Sequence, residues 1–267
     1  MIELGQGESL VENTKDGSRK YENKLKRIDF CDKRVYQRAE GLYYPSVTSI
    51  LGAAPVDPFF LRWVEEVGKN AEIIRNQAGI EGTAVHEAME QLALGKTIDW
   101  KDEFGNARYS LKVWQMILRG ADFFNTVKPK ILASEQFLFS DKYQYAGTTD
   151  LLTEVNTGDD KREKWLLDFK TSNHVSLTYS MQLAAYAKAL EEQQGIVVDR
   201  CGIVWLKAAT RGPRKGAFQG EGWQIIFSDN IDDDFRAFLD IYDVFKIYNK
   251  KIEPYTKSYP TEVKLEY

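Results

Sequence analysis

The chain has 267 residues, 43% hydrophobic and 13% aromatic, with 36 Lys and Arg against 40 Asp and Glu for a net charge of −4. That is enough apolar material for one large domain, and the charge excludes a uniformly basic nucleic-acid coat while leaving room for a local basic strip. The two cysteines, Cys31 and Cys201, stand far apart in no metal spacing. They exclude a disulfide framework and a four-cysteine iron–sulfur site, and suit a reducing compartment.

No apolar run approaches the roughly 18 residues of a membrane span. The opening MIELGQGESLVENTKDG has no apolar signal core, and Glu3, Glu8 and Glu12 argue against a transit peptide. The expectation is a cytoplasmic chain with no membrane partner. Residues 1 to about 27 read as a polar arm. From Ile28 to Ile50 the pattern is strand-like, with RVYQR and LYYPSVTSI flanking a hairpin turn at Ala39–Gly41. Pro55 and Pro58 then break regularity.

A helix is predicted from near Asp57, with Phe60, Trp63, Val64 and Val67 at helical spacing. A second helical stretch covers about Ala71 to Leu94, interrupted near Gly79 and Gly82, where Thr83 can cap the segment AVHEAMEQLALG. Val85, Ala88, Met89 and Leu92 form its buried stripe, and His86 and Glu90 share the adjacent one. Residues 96–109 read as an irregular connection, and Leu111 to Val127 as a helix ending before Pro129. ILASEQFLF, YQYAGTTDLLTEV and KWLLDFK follow as three strands of an antiparallel meander. An Ala-rich helix from Leu177 to Gln194 ends at Gly195. CGIVWLKA and GWQIIFS are two more strands, separated by a Gly-rich loop over residues 209–222 that carries Arg211, Arg214 and Lys215. A last amphipathic helix spans Asp233 to about Ile252, with Phe235, Phe238, Leu239, Tyr242, Phe245 and Tyr248 on its apolar side.

The chemistry centres on Asp168 and Lys170. They are two apart on a strand, so they share a face, while Trp165, Leu167 and Phe169 line the other. A carboxylate beside an ammonium in an apolar run costs free energy unless both have partners. Asp150, on the preceding strand, can bring a second carboxylate, and the pair suits a hard divalent cation such as Mg²⁺. Lys170 could then orient a water and contact a phosphate. The plain alternative is an ordinary ion pair on an exposed strand face.

His86 is one of two histidines, and HEAME lacks the second histidine of a zinc-protease helix. It is either structural or a ligand, with Glu90 orienting its ring. Glu135 is an accessory ligand or an ordinary strand residue. Gln182 and Tyr186, four apart on one helix, can bond a phosphate or stack on a base, or can simply be half-buried. Arg211, Arg214 and Lys215 can contact a nucleic-acid backbone or form a solvated hairpin tip.

Taken together, GTAVH, GTTD, DFK and QLAAY, in that order, resemble the RecB-like branch of the PD-(D/E)xK nuclease superfamily, and PSVTSIL with the Trp63 helix resembles the opening of its domain. The resemblance divides the chain into an N-terminal arm and first strands at 1–42, a nuclease domain at 43–255 and a tail at 256–267. It implies an α/β (α+β) fold with a restriction-endonuclease-like core, a mixed central sheet flanked by helices. It further implies Mg²⁺- or Mn²⁺-dependent hydrolysis of DNA, leaving a 5′-phosphate and a 3′-hydroxyl. By motif match His86, Asp150, Asp168 and the Phe169 carbonyl would hold the metal, Lys170 would be the catalytic lysine, and Gln182 and Tyr186 would handle DNA. Thr149 stands where the superfamily has proline. Without the cysteine quartet, the chain looks most like exonucleases of phage and prophage recombination and repair. Some such relatives form rings that encircle DNA, so the partners the resemblance suggests are DNA, a recombination partner protein and further copies of the chain. The alternatives are a structure-specific endonuclease and a non-catalytic DNA-binding or assembly module on the same fold.

Overall fold

The computed structural model describes residues 25–30, 33–158, 161–207 and 222–254. Three short strands come first: β1 (Lys26–Phe30), β2 (Lys33–Ala39) and β3 (Leu42–Pro45), paired antiparallel in that order. The turn between β2 and β3 uses Gly41 at φ +71°, a left-handed geometry that suits glycine. The segment boundary expected between residues 42 and 43 falls inside β3.

The strand expected to run on through VTSI is instead a helix, α1 (Val47–Leu51). Ser46 explains the switch: its hydroxyl accepts the Ser49 amide and caps the first turn. Asp57 caps α2 (Pro58–Val67) in the same manner, with Pro58 in the first turn. α3 (Ala71–Ala93) runs without a break through Gly79 and Gly82. Thr83 does not cap a new segment there. Its hydroxyl donates to the Gly79 carbonyl one turn back. Gly82 has a packing role, since a Cβ there would lie 3.2 Å from Thr171 Oγ1.

Ser110 caps α4 (Leu111–Val127), which stops where Lys128 turns left-handed before Pro129. β4 (Lys130–Ser140), β5 (Tyr145–Asn156) and β6 (Arg162–Lys170) form the expected antiparallel meander. α5 (Leu177–Gln194), capped by Ser176 and closed by Gly195 at φ +66°, then crosses over to β7 (Arg200–Trp205). β7 therefore pairs parallel to β6, and β8 (Gln224–Phe227) closes the sheet antiparallel. The result is a five-stranded mixed sheet in the order β4-β5-β6-β7-β8.

α6 (Ile231–Tyr248) starts at its Asn230 cap and ends four residues short of the expected Ile252. Its buried stripe runs Phe235, Phe238, Tyr242 and Phe245, whereas Tyr248 in the last turn is 80% exposed and leaves the expected apolar side. Each sheet face has its own core. α1, α5 and α6 cover one, where Leu152, Leu166, Cys201 and Ile203 point. α3 and α4 cover the other, where Leu151, Trp165, Leu167, Phe169 and Val204 point. Alternating burial along β6 is thus satisfied on both sides, as a central strand requires. No helix among the described residues is long and apolar enough to cross a membrane.

Candidate metal centre

The site forms where β5 and β6 diverge. Their ladder ends at the pair Leu151–Leu167, while β6 continues along β7 through Lys170. Beyond that last rung the Phe169 amide finds no β5 carbonyl and donates to Asp150 Oδ2 at 2.8 Å. The same oxygen lies 3.1 Å from His86 Nδ1. α3 delivers His86 because its neighbours Val85, Ala88 and Met89 are anchored in the core against the sheet.

Glu135 joins them from β4. It lies between the rungs Ser134–Leu151 and Gln136–Thr149, opposite Asp150, and its φ of +50° departs from strand geometry. A left-handed non-glycine residue costs on the order of 1 kcal/mol and tends to persist where its surroundings demand it. Among the described residues, His86, Glu135 and Asp150 form a group whose ligand atoms all lie within 4.8 Å of one another.

Asp168 is not one of the three residues whose ligand atoms all lie within 4.8 Å of one another, but its charge acts on His86, Glu135 and Asp150. Its carboxylate is also engaged by Lys170 and α5. Lys170 Nζ stands 2.6 Å from Asp168 Oδ2, and Gln182 Nε2 donates to Oδ1 at 3.1 Å. Asp168 is 2% exposed, and its Oδ2, although close to the ammonium, receives no well-directed hydrogen bond. Phe169 turns its ring into the α3–α4 core.

These contacts set the protonation states. Burial disfavours the imidazolium, but the Asp150 charge and hydrogen bond, reinforced by Asp168, overcome it and raise His86 from 6.5 to about 9. Burial pushes Glu135 up to about 7, with Asp150 adding repulsion. Burial, with repulsion from Asp150, also raises Asp168 to about 6 despite the attraction of Lys170. Asp150 resists its own burial and is held below the usual carboxylate range by His86, Lys170 and the Phe169 amide. Burial opposes the Lys170 charge, yet Asp168 and Asp150 hold its ammonium above the ordinary lysine value.

An imidazole and two carboxylates converge, and a third buried carboxylate beside them has an oxygen without a directed donor, a donor set able to hold a divalent cation. A cleft of about 260 Å³ opens onto the site, lined by His86 and Lys170 together with Gly79, Glu81, Lys112 and Tyr179. Lys170 Nζ also lies 4.7 Å from the centre of the Tyr179 ring.

Several expectations are relocated. Gln182 and Tyr186 are buried, at 8% and 3% exposure. Glu90 sits half-buried one turn from His86, and its charge reaches Glu135. Arg211, Arg214 and Lys215 lie outside the described residues. Tyr179 and Lys112 were not singled out from the sequence. Tyr179 had a signal, since it precedes Gln182 by three residues on the same helix face. Lys112 had none, because only the packing of α4 on α3 brings it to Glu81. No protein-family model and no curated protein matches the chain.

Proposed function

We propose that this chain is a divalent-metal-dependent deoxyribonuclease with a restriction-endonuclease-like core, acting as an exonuclease in recombination or repair. One observation carries the reading. The His86–Glu135–Asp150 cluster adjoins the buried Asp168–Lys170 pair at one cleft. The ordered motifs that resemble RecB-like nucleases support the choice of a phosphodiester substrate, and the end-directed mode rests on that resemblance alone.

His86, Asp150 and Glu135 would hold a Mg²⁺ or Mn²⁺ ion, with Asp168 beside them. When bound, the cation supplies charge neutralisation at the phosphoryl oxygens and lowers the pKa of a nearby water. Lys170 faces the cleft and stabilises negative charge as water oxygen attacks phosphorus in line. The attacking water gives up a proton to solvent, the P–O3′ bond breaks, the 3′-oxygen takes a proton from solvent, and a 5′-phosphate and a 3′-hydroxyl remain. Binding of a cation requires His86 to surrender its proton, so affinity falls with acidity.

The test is digestion of end-labelled linear duplex and of covalently closed circles with Mg²⁺ or Mn²⁺, with EDTA, and with Lys170→Ala. Release of label in the first case only, with circles intact, is expected. Metal-independent binding without cleavage in all three would identify a binding module instead, and cut circles an endonuclease.

A further inference from the structure

Gln182 has no donor hydrogen left for a ligand, and its oxygen already faces an ammonium. Its amide nitrogen carries two hydrogens. One goes to Asp168 Oδ1 at 3.1 Å and the other to the Tyr186 hydroxyl at 3.4 Å. Its oxygen accepts from Lys170 Nζ at 3.4 Å. The side chain is 8% exposed and packed on α5 between the sheet and Tyr186. The Tyr186 ring, 3% exposed, packs directly over Gly147 of β5, in the space a side chain there would take.

The chemistry of the head group selects glutamine. Asp168 needs a donor and Lys170 an acceptor, and one planar amide gives both at once. Rotating the amide by half a turn would set NH₂ against the ammonium and oxygen against the carboxylate. The two charged partners thus fix its orientation, and the Tyr186 hydroxyl meets the remaining hydrogen.

We infer that Gln182 is a positioning residue that locks Asp168 and Lys170 into one geometry, with Tyr186 steadying it, and that neither residue touches the nucleic-acid strand. The kinetic consequence rests on the nuclease reading, whereas the structural one does not. Lys170 reaches the cleft from a fixed point rather than from a flexible stem, because Asp168, Gln182 and the Tyr179 ring surround its ammonium.

The experiment compares wild type with Gln182→Met, which keeps the volume and removes all three hydrogen bonds, and with Tyr186→Phe, which removes one. Turnover at saturating linear DNA should fall about 10–100-fold for Gln182→Met, as is typical when a supporting hydrogen-bond partner is lost. KM should not change, and neither should DNA affinity measured by fluorescence anisotropy in EDTA. Tyr186→Phe should show a milder fall of the same kind. Weakened binding in EDTA with unchanged turnover would assign Gln182 to the strand and overturn the inference. A wild type that fails to cleave with Mg²⁺ or Mn²⁺ removes the nuclease reading alone. Crystal structures of wild type and Gln182→Met then decide, with Lys170 Nζ expected to leave Asp168. An unchanged Lys170–Asp168 contact would refute positioning, and if Gln182→Met does not fold, Gln182→Glu, which loses the donor to Asp168 and keeps the acceptor for Lys170, gives the same comparison.

Discussion

Replacing Gly147 by alanine sets two effects of opposite sign against each other. Gly147 is not among the residues with positive φ, so alanine can adopt its backbone. On that ground alone the substitution would stabilise the fold by about 0.4–1 kcal/mol, by restricting the unfolded chain. The packing says otherwise. A Cβ at this position would lie 2.3 Å from Tyr186 Cε1 and 2.8 Å from its hydroxyl oxygen. The ring is 3% exposed and bounded by Gln182, so it can yield only by disturbing that amide. Overpacking of this kind costs about 1–3 kcal/mol, which outweighs the gain. Urea denaturation should therefore show Gly147→Ala destabilised, with a fall in Tm of about 2–4 °C per kcal/mol for a chain of this size. Pairing it with Tyr186→Leu, which vacates the ring's volume, should make the double variant more stable than the sum of the singles by about 1 kcal/mol. Additivity within about 0.5 kcal/mol, or a stabilised Gly147→Ala, would refute the packing argument.

Two titrations bear on the His86–Glu135–Asp150 cluster. NMR of His86 in EDTA should show a midpoint near 9, falling by more than a unit in Asp150→Asn, because the Asp150 charge and hydrogen bond sustain the shift against burial. An ordinary midpoint in the wild type would contradict the 3.1 Å contact. Glu135, raised from 4.5 to about 7 chiefly by burial, binds its proton more tightly in the folded state. Its contribution to stability is therefore lost as pH rises from 4.5 to about 7. The loss should be on the order of 2 kcal/mol after discounting for a half-buried site. Glu135→Gln should remove that slope and be more stable than wild type near neutrality, and a slope that survives the substitution would place its origin elsewhere.

Much of the fold was written in local signals. The helical reading of Leu111–Val127 with Pro129 beyond it bounded α4 correctly, as Gly195 did the end of α5. These cues act within a turn of chain, so they survive without neighbours. Where a local cue was ambiguous, partners decided. VTSI has β-branched residues but also a serine able to cap, and the capped turn formed. Gly79 and Gly82 suggested a break, yet α3 runs on unbroken, its far half packed in the core through Val85, Ala88 and Met89.

The sequence by itself determined which residues could carry chemistry. The two-residue spacing of Asp168 and Lys170 put them on one face, and His86 followed a buried valine that would anchor it. Only the tertiary structure decided who meets whom. Glu135 reaches His86 and Asp150 through a left-handed backbone that no strand pattern announces. Asp168 meets Lys170 and Gln182 because β6 runs on past the last β5–β6 rung and α5 packs beside it. Residue type and spacing govern each strand or helix alone, whereas angstrom-scale distances between carboxylates depend on how three strands and two helices pack, which no short stretch of chain encodes.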